Sequence, residues 1–184
     1  MRIDISRIKD ETGARIEREF SLECSQLGLD DVAEEGRGPV MAKVAITNIG
    51  NRTFMVEGRV ESQMEFTCSR CLTPFTYHLS GGFSEEYLPK DSERYDQWRE
   101  REESSGEYPV EEEVRFYDHT YLEISDTLRD AFYLAVPMKI VCKDDCQGIC
   151  PNCGQSKNDV QCDCKPDNTD LRWAALKELL EEHK

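Results

Sequence analysis

Apolar and polar residues alternate along the first half of the chain, which is the pattern of β-strands with one buried face. The alternation runs through Arg15–Leu22 and 40–47, and then through the long segment Thr53–Thr67. A turn sequence at 48–51 (Asn-Ile-Gly-Asn) separates the last two segments and predicts a β-hairpin. The pattern resumes over 75–87. Together these segments predict an antiparallel β-meander.

The second half of the chain predicts helices that pack on this meander. Short apolar runs at Val114–Tyr117 and 121–124 precede a helical pattern over 125–136, which Pro137 ends. A second amphipathic pattern, over 170–184, predicts a C-terminal helix that packs back on the sheet. The predicted fold class is therefore α+β: an antiparallel β-meander packed with a central and a C-terminal helix, plus a cysteine-rich segment that resembles a zinc ribbon.

The most acidic part of the chain lies between the meander and the central helix. Residues 85–113 include 12 acidic and 4 basic side chains, a net charge of −8 out of −15 for the whole protein. With Pro89 and the run Ser104-Ser105-Gly106, this composition is typical of a solvated acidic loop. Tyr95 and Trp98 lie within it, either as isolated loop aromatics or as a partner-docking motif.

Length and composition limit the possible organisation. A chain of 184 residues with 38% apolar residues can form one core with a small metal-stabilised appendage. We therefore predict a core domain over residues 1–140, with its acidic loop at 85–113. The zinc-ribbon segment and the C-terminal helix, which packs on the core, are predicted to occupy residues 141–184.

The net charge of −15 disfavours general nucleic-acid binding, because such binding depends largely on neutralising phosphates. An acidic protein instead favours a basic protein partner, or the charge only maintains solubility. The sequence contains neither a signal-peptide-like apolar run at its start nor a stretch approaching the ~20 apolar residues of a membrane span. We expect a soluble, cytoplasmic protein that does not engage a membrane.

Nine cysteines in a chain expected in a reducing compartment indicate metal binding rather than disulfides. Cys24 stands alone and is expected to be a core thiol. The other eight form four close pairs, in chain order Cys68/Cys71, Cys142/Cys146, Cys150/Cys153 and Cys162/Cys164. Each pair can deliver two thiolates to a tetrahedral zinc ion. The glycine after the third pair, Gly154, allows the turn a positive φ at little cost.

Four pairs make two sites of four cysteines, and the length of the loops favours one grouping. The third and fourth pairs are separated by only 8 residues, so a shared site closes a short loop. The first and second pairs then share the other ion. The alternative grouping places the first and third pairs on a single ion. Two Zn²⁺ ions are favoured over one.

Other roles for the cysteines are possible but fit less well. The pairs have polar flanks such as Asp145 and Asn152, which are unlike the surroundings of buried core thiols. An iron–sulfur cluster would also use four cysteines. A thiol-redox motif should open a helix, whereas the first pair joins two predicted strands.

The predicted sites look structural rather than catalytic. Catalytic zinc keeps an open coordination position and usually has histidine or carboxylate ligands. The histidines, His78, His119 and His183, are scattered and form no metal-binding motif. We therefore expect no enzymatic activity and no small-molecule substrate.

The order of these motifs resembles the YceD-like family, a bacterial and plastid group associated with accumulation of large-subunit ribosomal RNA. The resemblance rests on CSRCLTPF at 68–75, on CKDDCQGICPNCG at 142–154, on CDC at 162–164 and on DLRWAALKEL at 170–179, and it covers about residues 40–180. It implies a role in large ribosomal subunit biogenesis without known enzymatic activity. The resemblance implies metal binding by the first three cysteine pairs. The assignment of Cys162 and Cys164 as metal ligands depends mainly on their proximity to the other cysteines.

Three functional hypotheses follow. The first is an assembly factor that supports accumulation of 23S rRNA by binding a basic ribosomal protein or a pre-ribosomal particle. The second is direct rRNA binding through a local basic patch, with candidate residues Arg70, Arg99, Arg101, Arg115 and Lys139. The third is a thiol-redox protein.

Overall fold

The computed structural model of the chain describes residues 1–29, 38–105 and 114–164. Contacts divide the chain into two compact units. The first unit consists of Met1–Phe66 and Thr76–Met138, and the second begins with Thr67–Phe75 and continues from Lys139. The segment around the first cysteine pair therefore belongs to the second unit.

A five-stranded sheet runs through the first unit in the order β2-β3-β4-β5-β6. Its strands are β2 (Arg15–Leu22), β3 (Val40–Gly50), β4 (Thr53–Thr67), β5 (Pro74–Pro89) and β6 (Val114–Tyr117). The pairs β2/β3 and β3/β4 are antiparallel, as the alternating pattern predicts. The pair β5/β6 is parallel, so the sheet is mixed rather than a purely antiparallel meander.

The alternation seen in the sequence sets the register of the central hairpin. Ala42 pairs with Val60 and Ile46 pairs with Val56, so apolar residues of the two strands share one buried face. The hairpin turn is formed by Asn51 and Arg52, which both have positive φ (51° and 57°), as a two-residue turn that matches strand twist requires. The predicted turn was therefore placed slightly too early in the chain.

A second, two-stranded sheet pairs β1 (Arg2–Asp4) with β7 (Tyr121–Glu123) in antiparallel register. The strand β1 was not predicted, because a three-residue strand gives little alternation to detect. A 3-10 helix follows β2 at Cys24–Leu27, and the thiol of Cys24 is buried, as expected for a core cysteine.

The helix α2 (Ser125–Ala135) confirms the predicted central helix. It buries Leu128, Ala131 and Phe132, which share one face. The helix lies very close to β5 at Gly81, where a Cβ atom would be 2.7 Å from the carbonyl oxygen of Ala131. Glycine is needed at this position because any side chain would meet the backbone of the helix.

The prediction of an acidic loop over 85–113 is wrong for the part of it that the structure describes. Residues up to Pro89 belong to β5, and the helix α1 (Glu93–Ser105) follows. Tyr95 and Trp98 of α1 pack against Phe116 of β6, with ring centroids 5.0 Å and 5.5 Å away. The aromatic pair therefore has a packing role within the first unit. Residues 106–113 lie outside the described part.

The predicted C-terminal helix over 170–184 also lies outside the described residues. Neither α1 nor α2 combines the length and apolar content needed to cross a bilayer. The α+β fold class is confirmed by the mixed sheet and the helices of the first unit.

Candidate metal centre

The first cysteine pair lies in a tight turn directly after β4. The backbone N–H of Leu72 donates to the carbonyl oxygen of Cys68 at 2.9 Å, and the N–H of Cys68 donates to that of Thr73 at 3.0 Å. These bonds curl the chain so that the N–H of Arg70 points at the sulfur of Cys68, at 3.4 Å. Leu72 adopts a left-handed conformation with φ 59°.

The third pair forms a turn with the same hydrogen-bond pattern. The N–H of Gly154 donates to the carbonyl oxygen of Cys150 at 2.9 Å, and the N–H of Cys150 donates to that of Gln155 at 2.8 Å. Gly154 has φ 72°, as its position after the pair predicts. Two segments with different sequences therefore adopt one knuckle geometry, which presents two sulfurs on the same side.

The first tetrad is the group Cys68, Cys71, Cys142 and Cys146, whose sulfurs all lie within 4.8 Å of one another. The sulfurs of Cys68 and Cys146 are 3.8 Å apart, and those of Cys71 and Cys142 are 3.6 Å apart. Four sulfurs bound tetrahedrally to zinc at about 2.3 Å would be separated by about 3.8 Å. The spacing therefore fits a four-coordinate zinc ion.

The surroundings of the first tetrad are largely closed to solvent. Cys68, Cys71 and Cys146 are buried, and Cys142 is half-buried. Phe75 and Val141 pack against this cluster. Burial of this kind is typical of structural metal sites rather than of sites that admit a substrate.

The second tetrad is the group Cys150, Cys153, Cys162 and Cys164, whose sulfurs also lie within 4.8 Å of one another. Cys150 is buried, Cys162 is half-buried, and the other two are exposed. In the part of the chain that the structure describes, no histidine or carboxylate joins either tetrad. Each tetrad is an all-sulfur set that could hold one metal ion.

The pKa values of the first tetrad differ strongly between neighbouring thiols. Burial, together with hydrogen bonding to the thiol of Cys71, raises the pKa of Cys142 to about 12. Burial also acts to raise the pKa of Cys68, but backbone N–H donors outweigh it and lower the pKa to about 6. The side-chain amide of Asn158 lowers the pKa of Cys146.

The pKa values in the second tetrad also differ strongly between neighbouring thiols. The backbone N–H groups of Cys153 and Asn152 lower the pKa of Cys150 to about 6. Hydrogen bonding with Cys153 raises the pKa of Cys164 to about 12. Within each tetrad, at least one thiol is therefore more acidic than an ordinary cysteine, and metal binding would release the protons that the thiols still hold.

Two polar side chains near the first tetrad make contacts that the sequence does not predict. The guanidinium of Arg70 donates to the carbonyl oxygens of Asp144 and Cys146, at 3.3 Å and 3.1 Å. The amide of Asn158 donates to the sulfur of Cys146 at 3.3 Å. Sequence spacing gives no signal for these contacts, because each joins residues that only folding brings together.

The structure brings all eight candidate cysteines into two groups, and the grouping is the one favoured by loop length. The first and third pairs, which the alternative grouping placed on a single ion, lie in different tetrads. The knuckle turns also differ from a redox motif, because neither of them opens a helix.

Two of the basic residues named for the rRNA-binding hypothesis make contacts within their own unit. The guanidinium of Arg115 is paired with two carboxylates. Its Nε lies 2.7 Å from Glu85, and its Nη2 contacts Asp130. Arg70 is directed at backbone carbonyls within the second unit. Lys139 also lies in the second unit, whereas Arg99 belongs to the first. The side chain of Arg101 lies outside the described part.

These features define a class: an α+β protein with two all-cysteine groups that could hold metal ions. The family model described as "Large ribosomal RNA subunit accumulation protein YceD" matches residues 56–180, a range that contains both tetrads. The chain belongs to the YceD family. The resemblance noted from the cysteine motifs is thereby confirmed.

Several proteins are similar to the chain. An uncharacterized protein of Mycobacterium tuberculosis is 27% identical over 186 aligned positions, which cover 98% of this chain and 81% of that protein. The chloroplastic large ribosomal RNA subunit accumulation protein YCED homolog 1 of Zea mays is 24% identical over 157 positions, covering 76% of this chain and 53% of the maize protein. No solved structure matches the chain.

Proposed function

We propose that this protein is a zinc-binding factor of large ribosomal subunit biogenesis that supports accumulation of 23S rRNA. The match to the YceD family over residues 56–180 carries this proposal, because the family description names large ribosomal RNA subunit accumulation. The maize relative carries the same description in its own name.

Zinc has a structural role in this proposal. Each tetrad supplies four sulfurs, so a bound ion has no position left for water or substrate. Zinc supplies folding free energy to the second unit, because the described residues 139–164 form turns and bends rather than a helix or an extended strand. The protein therefore acts by binding, without catalysing a reaction and without a small-molecule substrate.

The proposed partner is a basic ribosomal protein or a pre-ribosomal particle that carries one, in the cytoplasm. The net charge of −15 supports a basic partner, since opposite charges speed association and select against acidic surfaces. The pairing of Arg115 with Glu85 and Asp130 argues against direct rRNA binding through the predicted patch.

Depletion of the protein in its own host tests the role in rRNA accumulation. We expect the ratio of 23S to 16S rRNA to fall and to recover when the wild-type chain is supplied. The double variant Cys68→Ser/Cys71→Ser should fail to restore the ratio, whereas Cys24→Ala, which changes a cysteine outside both tetrads, should restore it. An unchanged rRNA ratio after depletion would refute the proposed role.

Affinity purification of the tagged protein tests the partner. Large-subunit ribosomal proteins should co-purify, and their recovery should persist after ribonuclease treatment if the contact is with protein. Recovery that disappears with ribonuclease would favour the rRNA-binding alternative. Absence of ribosomal proteins and of rRNA would contradict both.

A further inference from the structure

One side chain of the second unit connects the two tetrads. Asn158 lies in the loop between Cys153 and Cys162, which is the loop that the second tetrad closes. Its side chain nevertheless contacts the first tetrad, because its Nδ2 atom is 3.3 Å from the sulfur of Cys146. Asn158 therefore lies in the loop of the second tetrad but contacts a cysteine of the first tetrad.

The orientation of this amide is fixed by a second hydrogen bond. The backbone N–H of Gln147 donates to Oδ1 of Asn158 at 2.9 Å. A backbone N–H can only donate, so the oxygen of the amide must face Gln147 and the NH₂ group must face the sulfur. Asn158 thus presents a donor, rather than an acceptor, to Cys146.

The loop that carries Asn158 is also held against the segment joining the tetrads. The N–H of Lys157 donates to the carbonyl oxygen of Gly148 at 2.8 Å, and Ile149 forms a β-bridge with Ser156. Cys146 and Cys150, which belong to different tetrads, are the two ends of this joining segment. Order in the loop and order in the joining segment are therefore linked.

Charge explains why a donor at Cys146 matters. A zinc ion bound by four thiolates carries a net charge of −2, and N–H groups that donate to sulfur stabilise that charge. The chain is already acidic, with a net charge of −15, so such donors oppose repulsion. The amide of Asn158 reaches Cys146 only when the loop is closed. Closing the loop costs conformational entropy, which zinc binding at the second tetrad can offset.

We propose that the two tetrads form one coupled two-ion centre, in which Asn158 is a positioning residue for Cys146. Zinc at the second tetrad orders the loop, places the amide of Asn158 and so raises the affinity of the first tetrad for zinc. By linkage, zinc at the first tetrad raises the affinity of the second by the same factor. This inference rests on the proposed assignment of both tetrads as zinc sites.

The variant Asn158→Asp isolates the donor, because it keeps the shape and the oxygen that accepts from Gln147 but replaces the NH₂ group with a second oxygen. Zinc affinity is measured by competition with a chromophoric chelator, and ¹¹³Cd NMR assigns each bound ion to its tetrad. We expect Asn158→Asp to lower the affinity of the first tetrad by about 10–100-fold in the full chain. The control Gln161→Glu adds the same charge to the same exposed loop and should leave that affinity unchanged.

The same comparison in a Cys162→Ser/Cys164→Ser background tests the coupling itself. With the second tetrad removed, the first tetrad should bind more weakly than in the full chain, and Asn158→Asp should have an effect of at most about threefold. Equal affinity of wild type and Asn158→Asp in the full chain, or an equal loss in both backgrounds, would overturn the coupling. If the wild-type chain still binds two ions, either result leaves the proposed zinc sites intact. Fewer than two ions in the wild-type chain would overturn the zinc assignment and the coupling together.

Discussion

Leu72 and Gly154 occupy the same position in the two cysteine knuckles and adopt the same left-handed backbone conformation, with φ 59° and 72°. Each donates its N–H to the carbonyl oxygen of the first cysteine of its own knuckle, at 2.9 Å. Leucine is disfavoured in this conformation by about 1–2 kcal/mol. The side chain of Leu72 is 61% exposed, so little packing offsets the strain.

Replacing Leu72 with glycine should therefore stabilise the first knuckle. We expect Leu72→Gly to increase the free energy of unfolding of the zinc-loaded protein by about 0.5–1 kcal/mol, because relief of strain exceeds the added freedom of the unfolded chain. Gly154→Ala should destabilise by about 1 kcal/mol, since its Cβ meets nothing within 4 Å and only the backbone conformation is affected. Denaturant unfolding measures both, and a destabilising Leu72→Gly would show that the strain is absent.

Two adjacent glycines of β5 should respond very differently to alanine. A Cβ at Gly81 would lie 2.7 Å from the carbonyl oxygen of Ala131 in α2, whereas the nearest atom to a Cβ at Gly82 is 3.7 Å away. Gly81→Ala should destabilise the protein by about 1–3 kcal/mol, and Gly82→Ala should change stability little. Thermal unfolding of the two variants side by side gives the answer, and equal stability would show that α2 does not approach β5 this closely.

Arg115 is expected to be the most sensitive charged residue of the first unit. Its guanidinium is bound to Glu85 of β5 and Asp130 of α2, and Thr127 also donates to Glu85 at 2.7 Å. Arg115→Met should destabilise by about 1–3 kcal/mol, less than a fully buried pair because the side chains are partly solvated. The control is Arg129→Ala, which removes an exposed pair with Asp126 and should cost less than about 0.5 kcal/mol.

Removal of metal should affect the two units unequally. We expect a chelator with a reductant to speed amide hydrogen exchange in 67–75 and 142–164 by about tenfold or more, since zinc is proposed to order these segments. Exchange in β3 and β4 up to Phe66 should change little, because that part of the sheet has its own apolar core. Hydrogen exchange with mass spectrometry resolves these segments, and uniform loss of protection in both would contradict the prediction.

The sequence predicts the elements whose pattern is local. The sequence predicts the strands β3 and β4 because most alternate residues are apolar and buried, as in Val44 and Ile46. The cysteine knuckles are visible because their spacing alone delivers two sulfurs to one point.

The elements that the sequence does not reveal depend on distant partners. The acidic segment 85–113 predicts a loop, because the residue that pairs with Glu85, Arg115, lies 30 residues further along the chain. In the folded chain Arg115 pairs with Glu85, and the adjoining residues of β5 pair with β6. Asn158 is hidden for the same reason, since its partner Cys146 is contacted only after the loop folds back.

The number of zinc ions bound per chain is the decisive measurement for the two proposed zinc sites. Native mass spectrometry of the protein, purified without chelators, should show two zinc ions on the wild-type chain and two on Cys24→Ala. The variants Cys68→Ser/Cys71→Ser and Cys162→Ser/Cys164→Ser should each retain no more than one ion, because each removes two ligands of a single tetrad. A wild-type chain with one ion or none, or tetrad variants that still carry two, would contradict the assignment of two four-cysteine zinc sites.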